Sequence, residues 1–154
     1  MKSYHLLFPT IALMLTSCVI VRPTDIFLQN ATMQPITARL HYREWLNATD
    51  TVHLRYQTIF AQGLRYSPLL LPPSQKIIEQ LTATLSVSAT DTAAIFIIPP
   101  HSTVLLQTTT NFHLPPDVRL YLQQVGATTC ILDEEQLMQA GHFGEGCFWY
   151  SINN

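Results

Sequence analysis

The sequence predicts an all-β fold, an antiparallel sandwich or barrel carrying one short C-terminal helix, and three observations carry that expectation. Apolar and polar residues alternate with period two through most of the chain, the pattern of half-buried strands. Turn residues fall between the alternating runs: Gln62-Gly63, Pro68, Pro72-Pro73, Pro99-Pro100 and Pro115-Pro116-Asp117. Proline cannot donate to a strand ladder, so these residues divide the runs instead of interrupting them. Charged residues make up only 12% of the chain while threonine occurs 18 times, which gives the neutral, hydroxyl-rich surface of a β-rich protein.

In chain order, the first element is a leader. Lys2 precedes an apolar run from Leu6 to Leu15 that contains Pro9 and is far shorter than the roughly 20 residues needed to cross a hydrocarbon core. A cationic start, a short apolar stretch and small residues before a cysteine match a secretory signal. Leu15-Thr16-Ser17-Cys18 reads as a bacterial lipobox, in which Cys18 takes a diacylglyceryl thioether and becomes the new N-terminus. Several acyl chains make such attachment stable where one is marginal. Val19 stands where an aspartate would favour retention in the inner membrane, so similarity to sorted lipoproteins implies the outer membrane. The expected organisation is a signal peptide over 1–17, a lipidated N-terminus and short tether over 18–24, and one domain over 25–154.

The strands follow. Asp25 to Gln29 is the first, and Ile36-Thr37-Ala38-Arg39-Leu40-His41-Tyr42-Arg43 alternates throughout. Val52, Leu54, Tyr56 and Phe60 repeat the pattern, as do Leu81, Ala83, Leu85 and Val87. Ala93 to Ile98, Thr103 to Thr110, Val118 to Gln123 and Cys147 to Ile152 bring the expected count to eight. One helix is expected over Glu134 to Ala140: Asp133 caps it, Gln136 completes a capping-box-like pair, and Gly141 occupies the position after its end.

Composition excludes some functions. Without the leader, seven basic residues face ten acidic ones, which is no footprint for nucleic acid or an anionic membrane surface. With Cys18 assigned to lipid, Cys130 and Cys147 remain as an even pair in a compartment that oxidises thiols, and a disulfide between them is expected. Such a bridge would be worth about 3 kcal/mol in the chain-entropy picture. No cofactor motif is visible, and no metal set with CxxC-like spacing.

At Tyr56 to Pro68 and Ile98 to Leu122 the chain resembles the YcfL-like family of small outer-membrane lipoproteins. Ile98-Pro99-Pro100-His101-Ser102, Val104, Leu106, Asn111-Phe112 and Val118-Arg119-Leu120-Tyr121-Leu122 carry most of the likeness, with Gly63-Leu64 and Pro68 adding to it. The resemblance implies an immunoglobulin-like β-sandwich in the periplasm and no catalytic activity. Thr58 and Phe60 stand where the family tends to carry Trp and Asp. The family domain also ends near the position of Leu122, so the residues from about 123 onward read as a C-terminal extension.

Several residues invite chemistry. His41 and His53 fall on the polar faces of neighbouring predicted strands, where cross-strand partners can share a metal; two solvated histidines are the plainer reading. Ser102, His113 and Asp117 can be assembled as a hydrolase set, yet no nucleophile elbow surrounds any serine, and no catalytic residue is assigned. Asn30-Ala31-Thr32 and Asn47-Ala48-Thr49 match a glycosylation sequon and read as turns. Arg119 could anchor an acidic partner or simply face solvent in its alternating strand. The C-terminal strand is apolar on both faces. If Cys147 and Trp149 point inward, then Phe148, Tyr150 and Ile152 are either covered by the helix or left open as a partner-binding patch.

The sequence thus points to a non-enzymatic lipoprotein of the outer membrane, facing the periplasm. It is held in lipid through Cys18 and binds an unknown envelope protein, and a periplasmic metal-binding protein using surface histidines is the alternative.

Overall fold

The computed structural model describes residues 23–41, 60–72, 74–90, 92–110 and 118–153. Within them, period-two alternation becomes strand wherever one face can be buried. The strands are β1 (Pro23–Asn30), β2 (Ile36–His41), β3 (Leu64–Ser67), β4 (Ala83–Leu85), β5 (Ser88–Ala89), β6 (Ala93–Ile98), β7 (Ser102–Thr110), β8 (Arg119–Gln124), β9 (Cys130–Leu132), β10 (His142–Gly144) and β11 (Cys147–Ile152). They form two sheets, ordered β10-β11-β1-β7-β3-β4 and β5-β6-β2-β8-β9. Every pairing is antiparallel except that of β1 with β11, which is parallel. The fold is an all-β sandwich with a short helix.

Between the sheets lies the main core. β2 contributes Ile36, Ala38 and Leu40, β6 contributes Phe96 and Ile98, β8 contributes Leu120 and Leu122, and β1 contributes Ile26 and Leu28. Phe60 also reaches it wholly buried, but from a helical turn: Phe60 and Ala61 are helical, not the end of a strand. The remainder of that expected strand lies outside the described residues. Gly63 closes the turn with φ +80, and a Cβ there would meet the Leu85 carbonyl oxygen at 2.6 Å, so this position needs glycine both for its conformation and for its clearance.

A smaller core covers the outer face of the six-stranded sheet. Phe27 and Cys147 pack beneath Leu71, Ile77 and Leu81, with Leu105 and Trp149 alongside. The cover is a 3-10 helix, Gln75–Gln80, that alternation did not reveal. Ser74 caps its start through Lys76 N–H, and Arg65 donates to the Ile78 and Leu81 carbonyls at 2.7 and 3.1 Å near its end. Of the Leu81 to Val87 run, expected as one strand, only β4 is strand, and β5 follows it in the other sheet because the chain crosses between the two. Leu85, Val87 and Ala89 stay packed against the main core during the crossing.

The C-terminal extension expected from about 123 is part of the sandwich. β9 borders the five-stranded sheet, and β11 lies inside the six-stranded one between β10 and β1. The helix Glu134–Ala140 joins the two sheets along one flank and buries Leu137 in the main core. Asp133 and Gln136 form the full capping box. Gly141 ends the helix with φ −96, an ordinary conformation. Its glycine is required by contact: a Cβ would sit 2.0 Å from Phe148 Cζ. β10 and β11 form a hairpin through Glu145 (φ 46) and Gly146 (φ 77), the two left-handed residues of a tight primed turn.

The expected disulfide does not form, and both thiols are free. Alternation along β11 puts Cys147 in the outer core and Phe148, Tyr150 and Ile152 toward the main core. Cys130 is exposed on β9, where its strand position opposite Leu122 turns it to the same side of its sheet as the main core. The six-stranded sheet therefore lies between the two sulfurs.

Candidate functional site

Of the sheet faces, the outer face of the five-stranded sheet combines exposed apolar surface with concentrated charge. The register aligns Ser88, Ile95, Arg39, Tyr121 and Ile131 in one row across all five strands. Ile97, Thr37 and Gln123 form a second row, and His41 stands opposite Arg119. Ile97 is 58% exposed, Ile131 48% and Ile95 36%. Arg39 and Arg119 point the same way and are also exposed. The His41 ring meets Tyr121 edge-on, with centroids 6.3 Å apart.

β6 explains why this surface is apolar. Its sequence Ala-Ala-Ile-Phe-Ile-Ile places Phe96 and Ile98 in the core and leaves Ile95 and Ile97 on the outside. The flanking strands alternate in the usual way, so Arg39 stands beside Ile95, Thr37 beside Ile97 and Tyr121 beside Ile131. No strand of this sheet contains an acidic residue. The described acids lie elsewhere: Asp25 on β1, Glu79 in the 3-10 helix, Asp133, Glu134 and Glu135 at the start of the C-terminal helix, and Glu145 in the β10–β11 turn. Among the described residues, the charged side chains on the strands of this face are Arg39 and Arg119. The face can bury apolar surface and pair carboxylates at once, with Arg and Tyr among the residue types that dominate binding energies.

The residues singled out in the sequence fall in different places. Phe148 is wholly buried in the main core, beneath the helix end at Gly141, and its side chain presents no surface to solvent. Tyr150 and Ile152 are half-buried against that core. Burial, and after it the neighbouring Cys130 thiol, raises the Tyr150 hydroxyl above its ordinary value. The strand's two apolar faces are thus shared between the main core and the outer core, with Trp149, Tyr150 and Ile152 half-buried and Phe143 of the paired strand exposed. Burial likewise raises the Cys147 thiol, with Asp25 and Glu145 adding to the effect.

His41 lies beside Arg119, whose charge opposes a cation, and His53 lies outside the described residues. Among the described residues, no three His, Cys, Asp or Glu side chains converge as a metal group. Ser102 is buried and donates to the Pro99 carbonyl at 2.6 Å, while His113 and Asp117 lie outside the described residues. Cys18 and the whole leader lie outside them too, and no described helix is long and apolar enough to cross a membrane. Arg119 faces outward as its strand's alternation requires.

Sequence reasoning passed over Ile95, Ile97 and Ile131. A signal for the first two was present: Ala93 to Ile98 has no polar residue, so one of its faces must find another cover or remain open. Comparison with protein-family models, with curated proteins and with solved structures returns no match.

Proposed function

We propose that this protein is a non-enzymatic lipoprotein of the outer membrane that faces the periplasm and binds another envelope protein through the outer face of its five-stranded sheet. The anchor rests on the Leu15-Thr16-Ser17-Cys18 lipobox and the short apolar run before it. The binding role rests on one observation, the row Ile95-Arg39-Tyr121-Ile131 with Ile97 beside it. The chemistry of this face selects a partner presenting apolar side chains bordered by carboxylates. A resemblance to the YcfL-like family accords with an envelope lipoprotein and supplies no partner.

Two measurements test the parts separately. Metabolic labelling with a clickable fatty acid should mark the wild type and not Cys18→Ala, and equal labelling of both overturns the anchor. Charge reversal at Arg39→Glu and Arg119→Glu should abolish partner capture, and Arg39→Lys should retain part of it and make it more sensitive to salt. The outward position of both residues should leave the melting temperature nearly unchanged. Undiminished capture by the doubly reversed protein overturns the docking face.

A further inference from the structure

Four turns gather at one end of the sandwich, and none of them carries a formal charge. Asn30 pairs with Ser102, Ser67 with Thr103, and Ile36 with both Ile98 and Gln124, so the turns 31–35, 68–72, 99–101 and 125–129 all project from that end. Hydrogen bonds brace them. The Asn30 amide nitrogen lies 2.8, 3.2 and 3.0 Å from the Gln34, Ile98 and Pro99 carbonyls, the Thr103 hydroxyl donates to the Leu69 carbonyl at 3.0 Å, and the Gln124 amide donates to the Gln34 side chain. The four turns contain no Asp, Glu, Lys, Arg, Phe, Tyr or Trp. Val125 is 79% exposed, Met33 74% and Leu69 63%, with Leu70 exposed beside them. Loops at the end of a β-sandwich are recurrent recognition surfaces, and an apolar set on a braced backbone loses little freedom on binding.

The anchor narrows what can meet this end. Val19 to Arg22 separate Cys18 from Pro23, which starts β1 at the opposite end of the sandwich, and that stretch reaches at most about 18 Å. β1 runs from Pro23 to Asn30 and so spans roughly 23 Å at the usual rise per residue. The loop end therefore cannot turn tip-first into the leaflet that holds Cys18. A second copy is excluded by the same geometry: copies anchored in one leaflet carry their loop ends side by side and cannot set them face to face. A charged polymer finds no counter-charge in the four turns.

We propose that the loop end carrying Met33, Leu69, Leu70 and Val125 is a second docking surface, for a periplasmic protein that presents an uncharged apolar recess. It rests on Cys18 being the lipid anchor, which directs this end away from the membrane. Its chemistry differs from that of the five-stranded sheet. Arg39 and Arg119 there pair with carboxylates, whereas the loop end binds by burial of apolar surface alone.

Photo-crosslinking in intact cells that produce the full chain tests this surface, with the photoreactive residue at Leu69, beside the six-stranded sheet, or at Val125, beside the five-stranded one. Both positions should give one shared protein adduct. Glu145, in the β10–β11 turn at the opposite end, should not give it. Met33→Asp should reduce the adduct on the order of tenfold or more by setting a charge in an apolar contact, and Met33→Leu should keep it. Both variants should melt as the wild type does, since the side chain is exposed. An adduct of twice the chain's mass, crosslinking to lipid alone, no shared adduct, or an undiminished adduct in Met33→Asp overturns the docking surface. Clickable fatty-acid labelling of the same samples reads the anchor separately. Unlabelled protein overturns the anchor and this surface with it, whereas labelled protein without the shared adduct overturns the surface alone.

Discussion

Asn30 shows how much a single residue contributes to this fold. It occurs in a glycosylation-like triplet and reads as an ordinary turn residue, yet its amide joins three carbonyls and Thr32 at the end of the sandwich. Removing a buried partner leaves its neighbours unsatisfied at a cost of about 1–3 kcal/mol. Asn30→Ala should therefore lower the melting temperature by several degrees in a thermal scan, whereas Gln34→Ala, which keeps the Gln34 carbonyl, should change it little. The cysteines give a second residue-scale expectation. In unreduced protein Cys130 should alkylate readily and Cys147 only on unfolding, as thiol-trapping mass spectrometry would record. Cys147 and Tyr150 both hold their protons more tightly in the folded state than in the unfolded chain. Stability from these groups is complete below their ordinary values of 9.0 and 10.0 and is lost as pH rises past them. Urea unfolding should show a plateau on the neutral side and a fall above pH 9.0, shallower in Cys147→Ala.

At the scale of elements, Gly141 and Phe148 couple the helix to the sheet. Because a Cβ at position 141 would strike the Phe148 ring, Gly141→Ala should destabilise by about 1–3 kcal/mol through overpacking. Leu137→Ala should cost about 2–5 kcal/mol by opening a cavity in the same region. Differential scanning calorimetry on the two variants checks both values. The helix was legible from Asp133, Gln136 and Gly141 because capping is local chemistry. β2, β6 and β11 were legible because alternation or an unbroken apolar run marks them. β3, β9 and β10 were not, since three or four residues are too few to establish a period. The 3-10 helix was hidden by its context: Ile77 and Leu81 are buried only because β1 and β11 present Phe27 and Cys147 outward. The disulfide expectation failed for a similar reason. Spacing in sequence cannot report that a sheet separates two sulfurs.

Across the whole molecule, the chain beyond Leu122 completes the sandwich. β11 is an interior strand, parallel to β1, and Phe148 fills the core beneath it. Truncation after Gln124 would turn β1 into an edge and remove that core, so circular dichroism should record no cooperative melt for the shortened protein. Among the described residues, the acids lie on the helices, in a turn and on β1, while Arg39 and Arg119 share the outer face of the five-stranded sheet and Arg65 lies on β3 of the other. Neither pattern is visible in net charge alone, because only the pairing register brings Arg39, Ile95, Tyr121 and Ile131 into one row. That row is the basis for assigning a binding role to this face. Site-specific photo-crosslinking in intact cells tests the assignment most directly, with the photoreactive residue placed in turn at Ile97, Ile131, Lys76 and Glu135. The account predicts one shared adduct from Ile97 and Ile131 and none from Lys76 on the opposite cover or Glu135 on the helix. An adduct from Lys76 or Glu135, with none from the two sheet positions, would contradict it.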